Sequence, residues 1–230
     1  MMILKFLFDR IVAFLGLIFL SPVMLVTAIL VKVKMPGGPV FFVQKRVGQH
    51  GELFNCHKFR TMTVEHHGAS VSVAGDSRIT PLGAKLRRYK IDELPGLWDV
   101  FIGKMSFVGP RPDVPGYADK LEGDDRDVLK MLPGITGPAT LKYRNEEELI
   151  ASFVREIRSG SSALNRELID VKFNKMTDEQ VALWYNDNVI YPDKVRLNCY
   201  YYRNYSFIKD IQIIVVTVLK RKIRYADEII

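Results

Sequence analysis

Residues 11–33 read IVAFLGLIFLSPVMLVTAILVKV, and their composition limits the kind of fold that the chain can adopt. Lys32 is the only charged residue in this segment. About twenty apolar residues in a row are what a helix needs to cross the hydrocarbon core of a bilayer. A cleaved signal peptide would have a shorter apolar core followed by small residues, whereas Lys32, Val33 and Lys34 follow here. The segment therefore predicts a membrane helix rather than a signal peptide.

Ser21 and Pro22 lie in the middle of this segment and predict a break in the helix. Proline has no backbone N–H and its ring clashes with the preceding turn, so it kinks or breaks a helix. Lys and Arg prefer the cytoplasmic side of a membrane, but basic residues flank both ends of the segment and select no orientation. These residues are Lys5 and Arg10 before it, and Lys32, Lys34, Lys45 and Arg46 at or after its end. The residues leave open a spanning helix and a helix–break–helix that enters and leaves by the same face.

The composition of the whole chain excludes several classes of protein. The 230 residues include 33 basic and 26 acidic side chains, a net charge of +7, and are 48% hydrophobic and 11% aromatic. A disordered chain would be less hydrophobic. Two cysteines are too few for a disulfide-rich secreted fold, which indicates a reducing compartment. The mean hydropathy of +0.02 averages an apolar N-terminal segment and a more polar remainder.

The remainder, residues 35–230, predicts one α+β domain that is mostly helical and has a small β-hairpin. Two short apolar or alternating runs, at residues 40–43 and 53–59, are separated by a glycine-containing turn, which is typical of paired strands. Residues 63–78 are small and polar and predict a loop. Residues 146–188 are charged and favour helix.

Three further helices are predicted near or after this hairpin. Thr80 and Pro81 are typical of a helix start, and that helix would run to about Lys90. Asp92 is positioned to cap a second helix. Residues 206–224 carry an apolar stripe followed by basic residues, which leaves open a surface-lying amphipathic helix and a buried core helix.

The candidate chemistry centres on Asp92 and Glu93. Standard nucleotide-binding signatures do not occur in the sequence, and His66-His67 has no partners at metal-ligand spacing. Arg87 and Arg88 lie just before the acidic pair, and Arg111 follows between two prolines. An N-terminal helix cap is the structural alternative for Asp92.

These residue types suit phosphoryl transfer. The flanking prolines restrict the backbone around Arg111, so little entropy is lost when its guanidinium fork grips a phosphate. A carboxylate at a helix N-terminus stays ionised and can attack phosphorus, as in aspartyl-phosphate enzymes. Carboxylates that face phosphates also attract Mg²⁺, which screens their repulsion.

Several long motifs occur in one order along almost the whole chain. They are Gln44, Arg46, Gly48 and Lys58-Phe59-Arg60-Thr61-Met62; Asp76-Ser77-Arg78-Ile79-Thr80-Pro81-Leu82-Gly83; Leu86-Arg87-Arg88, Ile91-Asp92-Glu93-Leu94-Pro95 and Leu97-Trp98; Gly103–Pro112; Pro133–Gly137; and Asn204…Ser206…Asp210. Together they resemble the bacterial sugar transferases, the small monotopic polyprenyl-phosphate phosphoglycosyl transferases. Ser21-Pro22 falls where that family breaks its membrane helix.

The resemblance implies an enzyme at the cytoplasmic face of the bacterial inner membrane, with a re-entrant helix at residues 1–34 and a catalytic domain at residues 35–230. It would transfer a sugar-1-phosphate from a UDP-sugar to polyprenyl (undecaprenyl) phosphate, the first membrane step of surface glycan assembly. Asp92 would form a covalent intermediate and Glu93 would assist, by activating the lipid phosphate or by holding Mg²⁺ together with Asp92. The implied substrate-binding residues are Lys58, Arg60, Arg87 and Arg111.

Departures from the family pattern put the identity of the sugar in doubt. The residues after Gly137 differ from the pattern of many members, and an insertion of about forty residues follows at about 145–185. Asn198 stands where members often have an aspartate. The chain otherwise resembles the minimal form of the family, and a homodimer is compatible with its sequence.

A membrane-anchored basic adaptor that binds anionic lipid or nucleic acid is the alternative from a different class. It would account for the net charge and the apolar N-terminus. It would not account for an acidic pair among arginines or for an arginine between prolines. Nucleic-acid-binding proteins normally have clustered basic residues with exposed aromatic residues, or a recognised binding motif, and the sequence has neither.

Overall fold

The computed structural model describes residues 2–64, 78–159 and 173–230. The architecture is α+β and mostly helical, and the described residues contain three small two-stranded sheets, so the predicted class is confirmed. His66-His67, most of the predicted loop and part of the predicted insertion lie outside the described residues.

Helix α1 spans Met2–Lys34. Among the described residues, this is the one helix that is long and apolar enough to cross a membrane, by length and composition. It continues through Ser21 and Pro22 without an interruption. The reason is local: Pro22 cannot donate to the carbonyl of Ile18 four residues earlier, and the Ser21 hydroxyl donates to that carbonyl instead, at 2.7 Å. The helix therefore does not end at this pair, and a bend that turns it back on itself stays a prediction.

One face of α1 packs along the rest of the protein from end to end. Lys5, Asp9, Ala13, Thr27 and Val31 are buried, at spacings that place them in one stripe of the helix. Most of the other large apolar side chains of α1 are exposed. The helix thus keeps a wide apolar surface free while polar residues near its start reach into the domain.

The predicted hairpin is confirmed. Strands β1 (Phe41–Val47) and β2 (Leu53–Phe59) pair antiparallel, with Phe41 opposite Phe59 and Val47 opposite Leu53. His50, at φ 60°, and Gly51, at φ 83°, make the tight connection between them. The hairpin presents Lys58 near the end of β2.

Helix α2 (Pro81–Arg88) begins as predicted, because the Thr80 hydroxyl accepts a hydrogen bond from the N–H of Gly83 at 2.9 Å. A 3-10 turn, Ile91–Glu93, follows, and helix α3 covers Gly96–Phe101. The residue that caps α3 is Pro95, without a side-chain hydrogen bond. The prediction that Asp92 caps the second helix is therefore wrong, because the turn places Asp92 before that helix.

Strands β3 (Ser106–Val108) and β4 (Gly134–Thr136) form a parallel pair, followed by helix α4 (Pro138–Lys142). Two 3-10 segments, Ala118–Lys120 and Gly123–Lys130, lie between these strands.

Helices dominate the rest of the domain. Helix α5 spans Glu146–Ser159, and α6 spans Asp178–Tyr185. A single π-helical turn, Asn186–Ile190, joins α6 to α7, Tyr191–Arg203. Helix α8 covers Phe207–Leu219, and strands β5 (Arg224–Tyr225) and β6 (Glu228–Ile229) pair near the C-terminus.

The largest apolar cluster lies under α7 and α8, with Val108, Leu197, Tyr201 and Ile213 fully buried. Helix α8 therefore buries one side in the core, while Ile208, Val215, Val218 and Leu219 remain exposed. Four basic residues follow these side chains, all exposed: Lys220, Arg221, Lys222 and Arg224. The buried side agrees with the core-helix alternative, and attachment of the exposed side to a membrane surface stays a prediction.

Candidate active site

Asp92 lies in the 3-10 turn between α2 and α3. The turn is set up by Lys90, whose left-handed backbone (φ 56°) ends α2 and redirects the chain. Only 7% of the Asp92 surface is exposed, and among the described residues its Oδ1 has no hydrogen-bond partner. Burial and then the charge of Glu93 raise the pKa of Asp92, whereas Lys58, Lys90 and Arg87 lower it. One oxygen of the Asp92 carboxylate thus accepts no hydrogen bond from the described residues, and both acidic and basic side chains act on the carboxylate.

Glu93 bridges two of the predicted phosphate-binding residues. Its Oε1 accepts hydrogen bonds from Lys58 Nζ at 2.8 Å and from Arg111 Nη2 at 3.1 Å. Burial raises the pKa of Glu93, but the charges of Arg111 and Lys58 outweigh that effect and lower it well below its usual range. Glu93 is thus firmly ionised and holds the two cations beside Asp92.

The loop that carries Arg111 is fixed to the hairpin. Arg46 donates to the carbonyl of Pro112 at 3.2 Å, and the N–H of Val47 donates to the carbonyl of Asp113 at 2.9 Å. Gly109 makes this path possible, since a Cβ at this position would lie 2.2 Å from the Leu132 carbonyl oxygen. The guanidinium of Arg111 keeps 46% of its side-chain surface exposed, so it can still reach a ligand.

Arg87 lies on α2, on the other side of the acidic turn. Its Nε donates to the Thr61 hydroxyl at 3.0 Å. Gly83 lets α2 approach closely, because a Cβ there would lie 1.9 Å from the Thr61 carbonyl oxygen. The charge of Arg87 lowers the pKa of Asp92, which places it within electrostatic reach of that carboxylate.

Arg60 differs from the other predicted substrate-binding residues. It is buried, its Nη2 donates to the carbonyl of Met35 just after α1, and its Nε has no hydrogen-bond partner within residues 2–64, 78–159 and 173–230. A Cβ at Gly38 would meet the Arg60 guanidinium at 2.6 Å. These contacts give Arg60 a structural connection to the end of α1, and its role in substrate binding stays a prediction.

Asp99 is a residue of the site that the sequence did not single out. It is fully buried in α3 and accepts two hydrogen bonds from His57, one from the backbone N–H at 2.9 Å and one involving Nδ1 at 2.6 Å. These bonds fasten β2, and with it Lys58, to the helix that follows Asp92 and Glu93. No local pattern marks this pair, because 42 residues separate the two side chains.

The donor set at Asp92 is compatible with a magnesium ion. Within the described residues, no three His, Cys, Asp or Glu side chains come together as a metal-binding group. Mg²⁺ does not require one, since it is usually bound by one or two carboxylates together with substrate phosphates. Asp92 Oδ1, which has no hydrogen-bond partner in the described part of the chain, is a carboxylate oxygen of this kind, whereas Glu93 is already engaged by Lys58 and Arg111.

Comparison with known proteins identifies the family. The sequence model described as "Bacterial sugar transferase" matches residues 1–159. The chain belongs to the bacterial sugar transferase family. The acidic turn and the three cations around it all lie within the matched residues, so the site described above belongs to the part that defines the family.

Several curated relatives are similar to more than half of the chain. It is 39% identical over 142 residues to an Aeromonas hydrophila UDP-N-acetylgalactosamine-undecaprenyl-phosphate N-acetylgalactosaminephosphotransferase, with 59% of this chain covered. It is 40% identical over 161 residues (67% of the chain) to a UDP-glucose:undecaprenyl-phosphate glucose-1-phosphate transferase of Xanthomonas campestris. The match spans 33% of each of these two relatives. The uncharacterized sugar transferase EpsL of Bacillus subtilis is 41% identical over 144 residues, which are 63% of this chain and 71% of EpsL.

Proposed function

We propose that the protein transfers a sugar-1-phosphate from a UDP-sugar to undecaprenyl phosphate and so starts the assembly of a bacterial glycan. The observation that carries the proposal is the buried carboxylate oxygen of Asp92, unpartnered among the described residues, beside the Lys58–Glu93–Arg111 bridge. The names of the Aeromonas and Xanthomonas relatives describe transfer of a sugar phosphate to the same lipid acceptor.

The first step forms a covalent intermediate. A carboxylate oxygen of Asp92 bonds to the β-phosphorus of the donor, and the bond from that phosphorus to the bridging oxygen breaks. UMP leaves with the electron pair, and a sugar-phosphoryl aspartate remains. Lys58, Arg87 and Arg111 stabilise the charge that develops on the phosphoryl oxygens and on the leaving phosphate.

The second step releases the product. An oxygen of undecaprenyl phosphate attacks the same phosphorus, the aspartyl oxygen–phosphorus bond breaks, and Asp92 returns to its carboxylate form. The product is undecaprenyl diphosphate sugar. Glu93 serves this step by keeping Lys58 and Arg111 in place, because its ionised carboxylate binds both cations.

Asp92 would hold Mg²⁺ through the oxygen that has no protein partner, with Glu93 close by. The ion, when bound, supplies charge that screens the carboxylate from the donor phosphates and polarises their oxygens.

We further propose that α1 is re-entrant and that the domain lies on the cytoplasmic face. The contacts at its two ends support this topology. Lys5 binds the Val108 carbonyl and Asp210, each at 2.8 Å, while Val31 packs against Phe59 and Leu86. Lys5 and Val31 would lie about 39 Å apart on a straight helix, far enough to put them on opposite sides of a bilayer. Both nonetheless contact the same domain.

Release of UMP tests the reaction. Purified wild-type protein with undecaprenyl phosphate should release UMP from at least one UDP-sugar, and Asp92→Asn should abolish the release. Asp127→Asn is the matched control, since Asp127 forms surface ion pairs with Lys130 and Arg203 and should leave turnover unchanged. Wild-type turnover in Asp92→Asn would exclude Asp92 as the nucleophile.

A labelling experiment tests the topology. Cysteines introduced one at a time at Met2 and at Pro39, which is exposed, should react with a membrane-impermeant maleimide from the same side of the membrane. Cys56 and Cys199 are both buried and should react little in the folded protein. Reaction of the two introduced cysteines from opposite sides would show that α1 spans the membrane.

A further inference from the structure

Four half-buried polar residues lie next to the Arg111 loop and have no part in the reaction proposed above. We call Asp113, Glu146, Tyr191 and Lys194 the Lys194 cluster. Lys194 Nζ donates to both carboxylate oxygens of Glu146, each at 2.7 Å, and the Tyr191 hydroxyl donates to Asp113 Oδ2 at 3.3 Å. Tyr191 and Lys194 are three residues apart on α7 and therefore share one of its faces.

The Lys194 cluster interacts electrostatically with Arg111, the predicted phosphate-binding residue. Desolvation lowers the pKa of Arg111, but the carboxylates of Glu93 and Glu146 raise it, and the net shift is upward. Asp113 follows Arg111 by two residues on the same fixed loop. Burial raises the pKa of Asp113 to about 6, although Lys194 opposes the shift. A ligand whose phosphate is held by Arg111 therefore has the Lys194 cluster as its next neighbour.

The chemistry of the cluster suits hydroxyl groups rather than a second phosphate. Two carboxylates repel a phosphate, but they accept hydrogen bonds from hydroxyls, and Lys194 and Tyr191 supply donors. Tyr191 is held edge-to-face against Tyr117 at 5.1 Å, which fixes its ring. Asn198, one turn after Lys194 on α7, is buried and leaves its Oδ1 without a partner within the described part of the chain.

The position of the cluster in the chain distinguishes the sugar from the nucleotide. Glu146 opens the first helix of the predicted insertion at about 145–185, Tyr191 and Lys194 follow that insertion, and Asp113 lies in the part that matches the family. The relatives share a uridine nucleotide in their names but differ in the sugar. A cluster that joins the matched part to an insertion specific to this chain suits the variable sugar better than the common nucleotide.

We infer that the Lys194 cluster binds the sugar of the donor through its hydroxyl groups and determines which sugar is accepted. This inference rests on the proposed function. A site built to hydrogen-bond a hydroxyl discriminates strongly, because a donor that lacks the matching hydroxyl leaves half-buried polar groups unpaired.

A donor screen with two variants tests the inference. Lys194→Met and Glu146→Gln should lower kcat/KM for the preferred UDP-sugar by about 10-fold to 100-fold, the loss expected for one charge-assisted hydrogen bond, and should change the ranking among UDP-hexoses and their N-acetyl forms. Inhibition by UMP, which has no sugar, should change less than about twofold. Lys130→Met is the matched control, because Lys130 forms a surface ion pair with Asp127.

The outcomes separate the two proposals. No UMP release by the wild-type protein from any UDP-sugar would overturn the proposed function and this inference together. UMP release with an unchanged donor ranking in both variants would overturn the inference alone. A loss of UMP inhibition equal to the loss of kcat/KM would also overturn it, since the cluster would then bind the nucleotide. Glu146→Gln keeps the size of the side chain, and unfolding temperatures near that of the control would show that both variants are folded.

Discussion

Replacement of Lys5 by methionine removes one half of a buried ion pair that ties the start of α1 to the domain. Lys5 Nζ and Asp210 Oδ2 are 2.8 Å apart, and the two side chains are 7% and 2% exposed. After Lys5→Met, Asp210 keeps the hydrogen bond that its Oδ1 accepts from the Tyr201 hydroxyl at 2.6 Å but loses its ion-pair partner. Removing one partner of a buried pair costs about 3–5 kcal/mol, so we expect a loss of this size at pH 8.

The loss should depend on pH. Burial raises the pKa of Asp210, and Lys5 opposes this shift. Without Lys5 the folded state therefore binds a proton at a higher pH than the unfolded state does. An acid whose folded pKa is raised destabilises the fold above that pKa, and the effect disappears as the pH falls toward the unfolded value of about 3.9. Relative to the wild type, the stability deficit should shrink by about 1.4 kcal/mol for each pH unit between the folded pKa of Asp210 in the variant and its lower folded pKa in the wild type.

Thermal unfolding with a thiol-reactive fluorogenic maleimide measures this effect, because Cys56 and Cys199 are free and buried. At about 2–4 °C for each kcal/mol, Lys5→Met should lower the Tm by roughly 6–20 °C at pH 8 and by less at pH 6. Lys34→Met, at the exposed end of the same helix, is the control. Lys5→Met with Asp210→Asn should recover much of the loss. A Tm within about 2 °C of the control at both pH values would refute the reasoning, because such a shift is under 1 kcal/mol.

Two further predictions concern the site. On the proposed mechanism, the acid limb of the pH profile of kcat/KM follows the ionisation of Asp92. Glu93→Gln should move that limb to lower pH, and Lys58→Met should move it to higher pH, because Glu93 raises the pKa of Asp92 and Lys58 lowers it. Shifts of both variants in the same direction would contradict these electrostatics. Arg60→Met should lower the unfolding temperature more than it raises KM for the donor, because the Arg60 guanidinium binds the Met35 carbonyl. A large rise in KM with an unchanged Tm would instead assign Arg60 to substrate binding.

Local sequence patterns were sufficient to predict the secondary structure elements around the site. The Thr80-Pro81 start of α2 and the hairpin both depend on neighbouring residues, and the structure has them where they were predicted. The acidic pair among basic residues likewise identified the part of the chain that matches the family. The prediction that Asp92 caps a helix failed because the left-handed backbone at Lys90 is followed by a 3-10 turn. Lysine has no preference for this backbone conformation, so the sequence does not indicate it.

Long-range contacts account for what the sequence did not predict. The Lys194 cluster requires α7 to pack against a loop that lies about eighty residues earlier, and the fastening of Lys58 by Asp99 requires β2 and α3 to meet. Arg60 shows a second limit of prediction from local sequence patterns. It is a basic residue two positions after Lys58 in the same motif, but the chain turns it inward after β2 ends at Phe59. A pattern of basic residues cannot distinguish these two environments.

The covalent intermediate on Asp92 is the central claim, and an intact-mass measurement tests it most directly. Protein incubated with a UDP-sugar that it accepts, without undecaprenyl phosphate, should gain the mass of one sugar-phosphate and release one equivalent of UMP. The added mass should disappear when undecaprenyl phosphate is supplied, and it should not form on Asp92→Asn. Turnover that requires both substrates together, with no added mass on the wild-type protein, would contradict the account.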